Sequence, residues 1–439
     1  MIRRRPEVWA RWLATPVVVL TAGGVDAQES KFFRTHDGSS FLLVKVDSRV
    51  VHWINLQPAR IADQPEGLPG LAVAVGRASL SGGATERAGE GPPLRWEKAL
   101  RRAPSTGAEF VEAHGYLGVA VTFPNGSIPL VAELLRVRTQ RAELAGIEPF
   151  ATEAIRARRE RLLRTPHLGM LRRLLGSIKG GEAFLPGLTS ATDKVTQARA
   201  LELYRNTYST NRALNVITGG FDIQATEEVL RRIYSVASRA AEPQSESTPV
   251  APRVRAPEPA APPDRSDTLL LACPLPTQRD PVTLATIDLL VEYLAGDADG
   301  FLPDRLRAAG HPRVEVAIRA PFPEPGGYLV VEVTDPGSKL DSSSKLVTAL
   351  AGALDDVAKG PADAIRLSRA ATAARAARTQ FLHDPRGLAV LLAHQWARSG
   401  SVPSGDLAIE ARVTPVAFQA LASEVLATAT RTLILPELR

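Results

Sequence analysis

The chain is 439 residues long, 44% hydrophobic, 23% charged and 5% aromatic, a globular composition that excludes a wholly disordered chain or a fibre. A single cysteine, Cys273, rules out both an intramolecular disulfide and a cysteine-built zinc site. The formal charge of +6 is small for this length, and residues 1–27 supply +2 of it through Arg3, Arg4, Arg5 and Arg11 against Glu7 and Asp26, so nucleic-acid binding is not expected.

Residues 1–27 combine a basic start, an apolar stretch from Trp12 to about Val25, and small residues at Val25 and Ala27. That is the pattern of a cleavable secretory signal with cleavage after Ala27, and it predicts an exported, periplasmic or secreted protein. A membrane anchor is the alternative, but Pro16 and Gly23-Gly24 interrupt an apolar run shorter than the roughly 20 residues a span needs. No later segment is apolar enough for a stable span, so a soluble mature chain is expected.

Ser39 to Asn55 reads as two strands meeting near Asp47-Ser48, with Leu42, Val44 and Val46 on one face of the first and Lys45 on the other. Gly76 to Gly83 contains Ser79 and Ser81, but neither serine has glycine two residues away on both sides, so a Gly/Ser turn is a better reading than a nucleophile elbow. Gly115 to Pro124 alternates Leu117, Val119 and Val121 as a half-buried strand, and Ile128 to Glu143 follows as a helix. Helices are predicted over Thr152–Arg164 and Val195–Tyr208, and a short strand over Ala213–Thr218.

Ala241 to Ser266 holds seven prolines, which remove donors and fix φ, so it reads as an extended linker. The predicted organisation is a signal over 1–27, a first domain over 28–240, a linker over 241–267 and a second domain over 268–439. Within the second, Thr268–Ala272 is strand-like, Leu284–Leu294 is an apolar helix, and Val314, Val316 and Ile318 alternate. Gly327 to Pro336 then repeats the earlier strand, identical to Gly115–Pro124 at seven of ten positions. A helix follows again over Ser343–Ala358, with Leu346, Leu350 and Leu354 at spacing four. This echo predicts an α+β chain of two duplicated halves, each a mainly antiparallel sheet packed with helices.

The seven histidines are isolated in sequence, with no pair at the helical spacing that would bring two to one metal. Phosphate-loop and dinucleotide-turn motifs are missing as well.

Gly70-Leu71-Ala72 and, after a further nine residues, Gly82, in a chain of two α+β halves joined by a linker, resemble the pitrilysin/insulinase-type zinc peptidases. Active members have a helix reading roughly G-L-A-H-x-x-E-H-x-x-x-x-G, whose histidines hold zinc and whose glutamate activates water. Here Gly70 to Gly82 keeps the frame, while the three chemical positions are Val73, Gly76 and Arg77. Valine has no lone pair, glycine has no proton to move, and a guanidinium repels a cation.

The resemblance extends to Glu153 and Glu160, spaced like the family's acidic helix, so that Glu160 matches the third zinc ligand. A solvated carboxylate paired with Arg156 or Arg164 is the other reading of Glu160. Leu203 to Asn211 and Val216 to Asp222 match a tyrosine-asparagine turn and the strand closing the first half. Phe301 to Arg307 matches a helix whose final arginine, with a tyrosine seven residues on, grips the substrate backbone. Arg307 is present and the tyrosine position is Val314, so Arg307 is either a peptide contact or an exposed helix-end arginine.

The resemblance implies a catalytically degenerate homologue with no cofactor of its own, where active members carry zinc. It also implies an active zinc-peptidase sibling as partner and an extended peptide as the guest of a shared chamber. An active metallopeptidase with ligands recruited elsewhere and a free-standing binding or scaffold protein remain the alternatives.

Overall fold

The computed structural model describes residues 29–58, 71–72, 75–76, 83–84, 94–95, 107–113, 116–141, 168–177, 197–207, 213–235, 267–276, 280–296, 300–319, 327–338, 340, 344–382, 384–400 and 412–436. The predicted signal, the Thr152–Arg164 helix and nearly all of the proline-rich stretch lie outside them.

In chain order the first strands are β1 (Ser30–Arg34), β2 (Ser40–Lys45) and β3 (Val50–Pro58). The short pair β4 (Gly83–Ala84) and β5 (Leu94–Arg95) comes next, then β6 (Gly107–Ala113) and β7 (Tyr116–Pro124). Helices α1 (Ile128–Arg141), α2 (Leu168–Gly176) and α3 (Gln197–Thr207) lead to β8 (Leu214–Gly219) and α4 (Ile223–Ile233). Next come β9 (Thr268–Pro274), α5 (Pro281–Ala295), α6 (Phe301–Ala308), β10 (Glu315–Arg319) and β11 (Tyr328–Thr334). The chain continues through α7 (Lys345–Lys359), α8 (Ala364–Leu382), α9 (Pro385–Ser399) and α10 (Pro415–Val425) to β12 (Thr432–Ile434).

Helix starts follow local chemistry. Asp280 accepts from the Val282 and Thr283 amides ahead of Pro281, Asp384 caps α9 ahead of Pro385, and Thr414 caps α10 ahead of Pro415. A side-chain acceptor satisfies the first orphan amides, and proline at the first helical position gives up a donor that had no partner. Gly400, in the left-handed region, stops α9.

The strands form a six-stranded sheet of order β1-β2-β8-β3-β7-β6 and a four-stranded antiparallel sheet of order β10-β11-β9-β12. The first is mixed, because β2 runs parallel to β8 while its other pairs are antiparallel. Strands β2 and β3 do turn back near Asp47-Ser48, yet β8 lies between them. Both faces of β2 are buried: Phe41 and Leu43 are as buried as Leu42 and Val44, because helices cover both faces of the sheet.

Both copies of the sequence echo are strands followed by helices, as expected. Leu117, Val119 and Val121 are buried in β7, as are Leu329, Val331 and Val333 in β11. The order β6-β7-β3-β8 in the first sheet parallels β10-β11-β9-β12 in the second, antiparallel throughout. The echo differs at Gly118, which takes the position that Val330 holds in the second copy. A Cβ on Gly118 would come within 1.9 Å of the Asn55 carbonyl oxygen, so β7 can approach β3 there only without a side chain.

Each sheet is covered by its own helices on one face and by a helix from the other half on the opposite face. α1 and α4 pack on Val51, Trp53, Val121 and Ile217, while Leu388, Leu392 and Trp396 of α9 cover Leu42, Ile54, Leu56 and Val216 on the far side. Reciprocally, the second sheet packs its own helices on Leu271, Leu329 and Val331, and receives Met170 and Leu174 of α2 on Leu270, Ala272 and Val330. Each half therefore completes the outer core of the other. The two sheets share their outer cores across the linker, making one α+β unit of a mixed and an antiparallel sheet packed with helices.

Candidate functional site

The segment that resembles the family's zinc-binding helix follows β3. Leu71–Ala72 and Val75–Gly76 are helical, and all of them are buried. Their spacing of one and four puts them on one helix face, so the frame's apolar side is turned inward. Gly76, which the sequence resemblance matches to a water-activating glutamate, is buried backbone without a side chain. Val73, Arg77, Glu153 and Glu160 lie outside the described residues. Among the described residues no group of three His, Cys, Asp or Glu side chains could hold a metal ion. Val73, Gly76 and Arg77 together offer a hydrocarbon, a bare backbone and a cation, so this donor set does not fit zinc.

The inner face of the first sheet contains a polar network that the sequence reading missed. β3 alternates Val51, Trp53, Asn55 and Gln57 inward, passing from apolar to polar toward the segment that leads to the frame. Trp53 Nε1 donates to Asn215 Oδ1 at 3.0 Å and Asn55 Nδ2 donates to the same oxygen at 2.7 Å, while Asn215 Nδ2 reaches the Ser40 carbonyl. Gln57 is fully buried, and among the described residues neither of its amide atoms has a hydrogen-bond partner. The inward Asn and Gln at alternate positions were the available signal. Amides and an indole do not titrate in the physiological range, so this network can orient and hold but cannot act as an acid or base.

Arg307 lies on α6 with Leu302 and Leu306 inward. Its guanidinium is about half exposed and stands 3.6 Å from Asp304, which also binds Arg366 at 2.9 Å. Val314 is buried in the second core and brings no polar group to Arg307. A gripping pair of arginine and tyrosine is therefore not assembled here, and any peptide carbonyl would compete with Asp304 for the charge.

A different trio forms at the end of β11. Asp335 Oδ2 accepts from Ser338 Oγ at 2.7 Å and lies 2.8 Å from His311 Nδ1. Serine and histidine both bind the carboxylate, and His311 Nε2 has no partner among the described residues. A nucleophilic triad needs the imidazole between serine and carboxylate, so this arrangement is a turn clamp.

No family model matches the sequence, and no curated protein matches it. Solved structures do. An M16-like peptidase from Alicyclobacillus acidocaldarius aligns with a TM-score of 0.71 at 14% identity, covering 95% of this chain and all of that one. Pitrilysin aligns at 0.66 and 16% identity over 94% of this chain. The chain has the fold of M16/pitrilysin-family peptidase domains. It covers 45% of pitrilysin, so the whole unit corresponds to one half of that enzyme and not to a duplicated pair of such halves. An inactive domain of an M16 peptidase from Pseudomonas fluorescens has the same M16 fold, with a TM-score of 0.65 at 13% identity over 92% of this chain and 97% of that one.

Proposed function

We propose that the chain is a non-catalytic M16-fold subunit that pairs with an active zinc-peptidase sibling and supplies one wall of a peptide-binding chamber. The observation that carries this reading is Gly76. The helical residues around it, Leu71, Ala72 and Val75, are buried, which supports a packing role for this segment where a general base is lacking. Its likeness to an inactive M16 domain supports the same reading.

On this reading the chain is exported after cleavage following Ala27, residues 28–240 and 268–439 are copies of one ancestral unit, and 241–267 links them. The matching order of four strands in the two sheets supports the duplication. An extended peptide would add to an outer strand, and among the described residues these are β1 and β6 in the first sheet and β10 and β12 in the second. Zinc would be held by the sibling alone.

The test is metal analysis and peptide cleavage by the purified mature chain, followed by co-expression with an M16 peptidase encoded beside it. The reading expects no tightly bound zinc, no cleavage alone, and co-elution with the sibling. Stoichiometric zinc with chelator-sensitive cleavage would establish an active enzyme with other ligands. Separate elution and an unaltered sibling activity would leave a free-standing binding protein.

A further inference from the structure

Three connections of the first sheet meet at the end where β2 turns into β3. The Val46 amide just past β2 donates to the Gly219 carbonyl at the end of β8 at 3.0 Å, and Asn125, in the turn between β7 and α1, donates from Nδ2 to the Gly220 carbonyl at 3.0 Å. Asn125–Ser127 is a single helical turn, closed by the Ile128 N–H on the Asn125 carbonyl. Asn125 and Gly126 are both exposed, and among the described residues a Cβ on Gly126 would meet nothing within 4 Å beyond its chain neighbours. The Gly126 amide stands in the first turn of the helical run, where backbone N–H groups find no acceptor within the helix. A side-chain amide is thus followed by a backbone nitrogen that no side chain shields.

We propose that Asn125-Gly126 is a spontaneous deamidation site, at which the chain converts its own amide into aspartate and isoaspartate with water as the only co-reactant. In the first step the Gly126 nitrogen gives its proton to solvent base and attacks Cγ of Asn125. The new nitrogen–carbon bond closes a succinimide ring, the Cγ–Nδ2 bond breaks, and Nδ2 takes a proton from water and leaves as ammonia. In the second step one water opens the ring. Cleavage between the Gly126 nitrogen and Cγ gives aspartate in the ordinary linkage. Cleavage between that nitrogen and the former main-chain carbonyl carbon gives isoaspartate, with the main chain rerouted through Cβ and Cγ. One water enters, one ammonia leaves, and nothing is oxidised or reduced.

Sequence and structure together single out this asparagine. Asn55, Asn206, Asn211 and Asn215 are followed by Leu56, Thr207, Arg212 and Val216, whose side chains crowd the nitrogen that would attack. Asn55 and Asn215 are also buried, in strands whose ladder fixes the backbone. Ring closure at Asn125 needs its turn to open, and one exposed turn opens locally at small cost. Loss of Nδ2 removes the tie to Gly220, and either product sets a carboxylate against that carbonyl. Isoaspartate also lengthens the main chain by one atom just before α1, whose Ile128, Val131 and Leu135 belong to the core over the first sheet.

The test is storage of the purified full chain in mildly alkaline buffer, native and in urea, followed by peptide mapping and enzymatic methylation of isoaspartyl carboxyls. In the native chain Asn125 should convert at a rate within several-fold of that in urea, while the other asparagines keep their amides over the same period. Gly126→Ala, which has room for its methyl, should convert several-fold more slowly. Each conversion adds a negative charge, so ion exchange separates the products, and the isoaspartate fraction should melt below the unaltered chain. An Asn125 that stays intact in the native chain while it converts in urea overturns the proposal. Conversion of another asparagine at an equal rate, or an undiminished rate in Gly126→Ala, does the same. Equal melting of the isoaspartate fraction and the unaltered chain would overturn the loosening of α1.

Discussion

Trp53 on β3 and Asn215 on β8 are 162 positions apart in sequence, and the indole N–H of one donates to the side-chain oxygen of the other at 3.0 Å inside the first sheet. Because Asn55 donates to the same oxygen, Asn215 serves as the single acceptor for two buried donors. Replacing Asn215 with leucine keeps the approximate volume and strands both donors, each costing about 1–3 kcal/mol. The variant should lose about 2–6 kcal/mol in urea unfolding. A loss below about 1 kcal/mol would mean that the donors find other acceptors.

Gly118 tests how tightly β7 is drawn against β3. Gly118→Ala places a methyl 1.9 Å from the Asn55 carbonyl oxygen, and this contact is with backbone, which no rotamer change relieves. The expected cost is about 1–3 kcal/mol or more, because the strands must separate locally. A melting temperature unchanged by this variant would show that the strands are farther apart than described.

Cys273 lies on β9 in the second core, and burial pushes its thiol up to about 12. The thiolate is the reactive form, so the native chain should resist thiol reagents at mildly alkaline pH and react after denaturation. Rapid stoichiometric labelling in native buffer would indicate that the second core opens readily.

Much of the fold can be read locally. β7 and β11 announce themselves because Leu117, Val119, Val121 and their counterparts alternate, and α7 because Leu346, Leu350 and Leu354 recur every four residues. Partners are less legible. Nothing near β2 says that β8 will run beside it in parallel, because that pairing joins residues more than 170 positions apart. The spacing of Leu388, Leu392 and Trp396 marks an amphipathic helix, but not which sheet it covers. At the candidate site, residue type alone says that Val73, Gly76 and Arg77 offer neither a zinc ligand nor a general base. The amide network on β3 is not legible in this way, because polar residues at alternate inward positions look the same as residues facing water.

The exchange of α2 and α9 between the sheets sets how the halves respond to being cut apart. Each half alone would leave one sheet face uncovered: Leu42, Ile54, Leu56 and Val216 without α9, or Leu270, Ala272 and Val330 without α2. Apolar burial of this kind contributes roughly 1.5–3 kcal/mol for each large side chain fully removed from water, so the docked helices should hold the pieces together without a peptide bond. A protease site inserted between residues 250 and 260 and then cleaved should give two fragments that co-elute and unfold in one transition. Trp396→Ala with Leu174→Ala weakens both docked helices, at about 3–5 and 2–5 kcal/mol respectively, and should let the cleaved fragments separate. Fragments of the wild-type chain that part in native buffer while each keeps its far-ultraviolet circular dichroism would show two independent domains, and the shared outer cores would then contribute little to stability.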